Sequence, residues 1–161
     1  MEVVSVISGI SGVIAVAEFA SKIALQASSL YYRIKRAPSE LANLQQTLAI
    51  LQIELTQIQD LKNEENTALT EVIVESIMVA LAFTERAIIS LKDECDRLPV
   101  HKDGLRSNIK WVFLHRTTIK DLEERLVASE NRLSMLLQMI SLYINRVQSI
   151  FKANGYLDKV I

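Results

Sequence analysis

The chain has 161 residues, half of them hydrophobic, with four glycines, two prolines and a net charge of −1. That length fits one domain with its own core, and the scarcity of Gly and Pro excludes a β-sandwich or a disordered chain in favour of long helices. Near-neutrality excludes a bulk field that would draw in nucleic acid. The single cysteine, Cys95, excludes an intrachain disulfide and fits a reducing compartment.

The first helix is predicted over about residues 3–35. It opens on an uncharged run from Val3 to Ala17 that mixes Val and Ile with Ser and Gly. Fifteen helical residues reach about 22 Å, short of the roughly 30 Å hydrocarbon layer, so this run alone is no straight membrane anchor. Glu2 stands where a secretion signal would be basic. At 100° per residue, Val3, Val6, Ile7, Ile10, Val13, Ile14, Ala17 and Ala24 share one broad face. Ser5, Ser8, Gly9 and Gly12 share another, suited to close helix packing. Glu18 and Lys22 are one turn apart and can pair on a polar edge. Tyr31 and Tyr32 then precede Arg33, Lys35 and Arg36, cations that favour a helix C-terminus.

Pro38 starts a second helix, about 38–61. Leu41, Leu44, Leu48, Leu51, Leu55 and Ile58 step by three and four along it as a heptad seam. Asn66 or Thr67 can cap a third helix, about 67–98, with Val72, Ile73, Val79, Ala80, Phe83, Ala87, Leu91 and Leu98 as its core. Pro99 to Gly104 breaks it, and a short helix, about 105–114, leads to the last, about 117–154. Thr117 or Thr118 can cap that helix, and Gly155 can stop it. Its seam is Ile119, Leu122, Leu126, Leu133, Leu136/Leu137, Ile140, Ile144, Val147 and Phe151. Long helices and short loops imply an all-α, up-and-down bundle of four long helices plus the short helix, a single domain over 1–161. The tail 156–161, which ends on the apolar Val160 and Ile161, suggests the N-terminal domain of a longer protein.

No catalytic constellation stands out. His101, His115, Asp103 and Cys95 lack metal-ligand spacing, and Cys95 reads as a small core side chain. The chain does not read as an enzyme, and no metal or cofactor site is assigned. Between His101 and Lys120, the cations Lys102, Arg106, Lys110, Arg116 and Lys120 surround Trp111 and Phe113. Such a mixture can engage an anionic bilayer, or it can plug and solvate the end of a bundle.

Val6-Ile-Ser-Gly-Ile-Ser-Gly-Val-Ile14 resembles the opening of fungal HeLo-like domains, the N-terminal helical domains of many STAND-type receptors. Ala37-Pro38-Ser39-Glu40-Leu41 with Leu44, Leu48 and Leu51 is similar to that family's proline-initiated second helix. Lys110-Trp111-Val112-Phe113 followed by Ile119, Leu122, Leu126, Arg132 and Leu133 resembles its tryptophan motif before a long last helix. The resemblance implies a bundle acting in innate immunity or heterokaryon incompatibility, where such domains target membranes and cause programmed cell death.

Two functions follow as expectations. In the first, the domain homo-oligomerises on activation, moves from cytoplasm to plasma membrane and permeabilises it. Val3, Val6, Ile7, Ile10, Val13 and Ile14 would insert, while Ser5, Ser8, Gly9 and Gly12 allow close helix approach. Glu18 and Lys22 would lie near headgroups or an aqueous path, since charges in hydrocarbon are costly. Arg33, Lys35, Arg36, Lys110 and Trp111 would meet anionic lipid headgroups. In the second, the chain is a soluble signalling or oligomerisation adaptor of a STAND-type receptor, coupled to a downstream sensor domain and without membrane activity. Neither involves nucleic acid.

Overall fold

A computed structural model describes residues 2–34, 41–63, 69–97 and 116–157, with the side chains of residues 2–10, 156 and 157 excepted. These residues are almost entirely helical, with no strand among them. Four helices occur in order: α1 (Glu2–Ile34), α2 (Ala42–Asp60, followed by a 3-10 turn over Leu61–Asn63), α3 (Glu71–Asp96) and α4 (Arg116–Leu157). The short helix expected at 105–114, His101, His115, Trp111 and Phe113 all lie outside the described residues.

Each helix packs against two others. α1 lies on α2 and α3, and α4 lies on α2 and α3, which closes a helical bundle around one apolar core. α2 supplies its densest stripe. All six residues of its heptad seam are buried, joined by Leu61. Burying each such Leu or Ile contributes about 1.5–3 kcal/mol. α1 offers smaller groups: Val13, Val16, Ala17, Ala20, Ile23, Ala27, Leu30 and Ile34. Among the described side chains, its alanines allow close approach and bury less area each than the leucines of α2.

The buried hydroxyls of Thr47, Thr84 and Ser129 donate to the carbonyls of Asn43, Ala80 and Arg125, each one turn back in its own helix. They need no cross-helix partner. Gln45 Nε2 donates to the Ile34 carbonyl at 2.6 Å. That bond satisfies a carbonyl near the end of α1 and fastens it beside the start of α2.

Several expectations are corrected. α3 starts at Glu71 with Thr70 as its cap, the Oγ1 accepting from the Ile73 N–H at 3.4 Å. Val72 and Val79 are exposed, and the buried stripe of α3 is Ile77, Ala80, Leu81, Thr84, Ala87, Ile88, Leu91, Glu94 and Cys95. α4 already includes Arg116, so Thr117 and Thr118 lie inside it and do not cap it. Gly155 is also within α4 and does not stop it. The α4 seam holds from Ile119 to Ile140, thins at Ile144 and Val147, and ends with Phe151 73% exposed. The cause is length. α4 has 42 residues against 19 in α2 and 26 in α3.

Candidate functional site: the seat of helix α1

Three contacts define how α1 sits on α3. A Cβ placed on Gly12 would lie 3.0 Å from Val74 Cγ1. Lys22 Nζ pairs with Glu85 Oε1 at 2.8 Å. Arg33 Nη1 donates to Asp96 Oδ1 at 2.7 Å, and its Nη2 to the Cys95 carbonyl at 3.4 Å. The partners are offset by 62 or 63 residues throughout, so α1 and α3 run parallel in one register. The polar contacts sit at the rim and contribute little each, because Lys22, Arg33 and Asp96 are substantially exposed. Apolar burial carries most of the docking.

The expected helix-1 residues fall into three groups. Val3, Ser5, Val6, Ile7, Ser8, Gly9 and Ile10 lie in the α1 helix, but their side chains are outside the described set. Gly12 packs on Val74, a close approach that fits the small-residue face. Val13 and Ile14, placed together by the sequence reading, are separated: Val13 is buried at 4% exposure, whereas Ile14 is 46% exposed. A rotation of 100° per residue about the helix axis separates neighbours across the edge of a narrow stripe.

Lys22 also departs from expectation. It bonds Glu85 across the interface and lies 5.9 Å from the centroid of the Phe19 ring, while Glu18 is exposed one turn away. Arg33 is engaged with Asp96, and Tyr31 packs on the core with its ring edge-on to the exposed Tyr32. Lys35, Arg36, Lys110 and Trp111 lie outside the described residues. Val74, Glu85 and Asp96 were not singled out from sequence, because their role depends on a neighbour some sixty residues away.

α1 has a second property. From Ser11 to Ile34 it is long and apolar enough to cross a membrane by length and composition, a test that the core helix of a soluble protein also passes. The uncharged run from Val3 ends at Ala17, and only the longer window clears the length required.

Ionisable groups buried in the bundle include Cys95 at this seat and Glu54 on α2. Glu54 of α2 is 7% exposed, and its Oε2 has no hydrogen-bond partner. Burial, aided by the nearby Glu130 of α4, pushes its carboxyl up from 4.5 to about 7. Gln26 Oε1 and Gln52 Nε2 are likewise buried without partners. Cys95 is buried, as its small apolar character suggested. Burial raises its thiol pKa, Arg33 lowers it, and Asp96 and Glu94 raise it again.

Among the described residues no group of three or more His, Cys, Asp or Glu is placed to hold a metal ion. No family model, curated protein or solved structure matches the chain.

Proposed function

We propose that this chain is a HeLo-like, membrane-targeting effector domain of cell death or immunity, built as an up-and-down bundle that releases α1 on activation. The supporting observation is α1 itself. It combines a membrane-compatible length and composition with an alanine-rich seam and two rim ion pairs. A helix held this way is easier to lift than the leucine-seamed α2. In the active state Val3, Val6, Ile7, Ile10, Val13 and Ile14 meet acyl chains, and Ser5, Ser8, Gly9 and Gly12 pack against other helices. Arg33, Lys35, Arg36, Lys110 and Trp111 meet anionic headgroups, with Glu18 and Lys22 at the polar edge. The domain self-associates and moves from cytoplasm to plasma membrane, under control of a downstream sensor domain.

The competing reading is a soluble adaptor that keeps α1 in place. The burial of Val13 and the fit of Gly12 against Val74 favour it. Leakage from anionic liposomes separates the two, comparing the wild type with Ile10→Glu and with deletion of residues 2–14. The effector reading expects leakage from the wild type and its loss in both variants, with helicity by circular dichroism preserved in Ile10→Glu. Absence of binding and leakage by oligomeric wild-type protein refutes it.

A further inference from the structure

The last part of α4 carries an apolar surface that the bundle does not use. Arg132 stacks on the Phe83 ring at 4.2 Å, which fixes where α4 crosses α3. Twenty-five residues of α4 follow Arg132, whereas α3 extends at most thirteen residues from Phe83 in either direction. Whichever way α4 runs, its end overhangs α3 by about 18 Å. Met135, Met139 and Leu142 lie alongside α3 and Ile150 on the overhang; each is more than half exposed, and the four fall within about 80° of one another around the helix.

The occupant can be argued from charge and area. From Leu133 to Phe151 the only ionic side chain is Arg146, and the flanking positions carry amides and hydroxyls such as Asn131, Gln138 and Ser149. A bilayer-surface helix places Lys and Arg along its polar face, which this segment lacks. Depletion of charge with enrichment in Met is the composition of a protein interface core. A face whose one charge is Arg146 can still meet its own copy, as an isologous contact requires, where the pairing keeps the two cations apart. The exposed apolar area is on the order of 500 Å², at the upper end of what a monomer leaves open. Doubled across a pair, it reaches about 1,000 Å², enough for a weak and specific association.

We infer that this stripe of α4 is a homodimerisation surface, on which a second copy packs antiparallel about Met139 and Leu142. Antiparallel pairing places Arg146 over the partner copy's Met135 position, about 16 Å along the axis from its own counterpart. Its aliphatic stem then covers the thioether while the charge reaches water. Parallel pairing would bring the two Arg146 side chains together. The inference rests on the self-association in the proposed function and names the face responsible.

Sedimentation velocity between about 1 and 100 μM tests it, with wild type, Met139→Arg and Leu142→Arg. The wild type should shift from monomer to dimer across that range, and both variants should stay monomeric with unchanged helicity, their side chains being exposed. In a Cys95→Ala background, Met139→Cys should cross-link to dimer under mild oxidation and Gln57→Cys, on the exposed face of α2, should not. A wild type monomeric throughout, a dimer that survives both arginines, or equal cross-linking at the two cysteines overturns it. Leakage is scored separately: a dimer lost in Leu142→Arg with no wild-type leakage sinks the effector reading alone, whereas Ile10→Glu-sensitive leakage without a dimer sinks only this surface.

Discussion

Gly12 and Val74 meet so closely that an added carbon at residue 12 requires the Val74 side chain to give by a few tenths of an ångström. A Cβ on residue 12 would stand 3.0 Å from Val74 Cγ1 and 3.7 Å from Val74 Cβ. The second distance falls within the roughly 3.5–4.5 Å that bridged cysteines span. Gly12→Cys with Val74→Cys should therefore form a disulfide without moving either helix. Closing a loop of about sixty residues should raise stability by about 2–4 kcal/mol, read by urea unfolding with and without reductant. On the effector reading the oxidised protein loses liposome leakage and dithiothreitol restores it. Equal leakage in both redox states means that α1 need not leave α3.

The same contact limits size at residue 12. Gly12→Leu should cost about 1–3 kcal/mol by overpacking, and Val74→Ala should recover part of that loss in a double-mutant cycle. A cycle with no coupling would contradict the packing of α1 against α3.

Glu54 should make stability fall as pH rises. Its folded pKa of about 7 lies above the ordinary 4.5, so between those values the folded chain keeps a proton that the unfolded chain has released. The penalty is absent below the ordinary value, grows through this window and is complete above the folded pKa. Glu54→Gln should flatten the slope and stabilise the protein at about pH 8 by up to about 3 kcal/mol. Glu130→Gln should have a smaller effect of the same sign, since burial is the larger cause. Thermal melts across the window read both, and an unchanged slope in Glu54→Gln would show that another group titrates.

Cys95 should resist modification. A buried thiol with a raised pKa offers little thiolate, so reaction with Ellman's reagent at neutral pH should be slow and should reach one equivalent only on denaturation. Rapid labelling of the native protein would place Cys95 at an accessible surface.

The N-cap of α3 offers a smaller test. Thr70→Ala should cost about 0.5–1 kcal/mol, at the low end for a cap because the bond to Ile73 N–H is long and exposed. A loss well above that would mean that Thr70 does more than cap.

Legibility in the sequence followed how locally each feature is determined. The α2 seam repeats by three and four with leucine at nearly every step, and every member is buried. α3 misled because apolar residues occur all around it. Val72 and Val79 are as greasy as Ile77 and Ile88, while the buried face includes Thr84 and Glu94, which hydropathy alone would place outside. Gly155 carries a stop signal only if the backbone turns there, and α4 continues through it. Thr67 and Thr70 are both plausible caps by residue type, and only the observed bond to Ile73 distinguishes Thr70. The seat of α1 was the least legible feature. Nothing near Lys22 or Arg33 in the chain points to Glu85 or Asp96.

The fixed offset of 62 or 63 residues between α1 and its seat has a consequence during synthesis. At about 5–20 residues per second, each part of α1 leaves the ribosome roughly 3–12 s before its α3 counterpart does. For that interval its α3-facing side can be sheltered only by α2 or by other proteins of the cell. A nascent apolar helix in this position is a natural client for chaperones, and the speed of translation through α2 and α3 sets how long it depends on them.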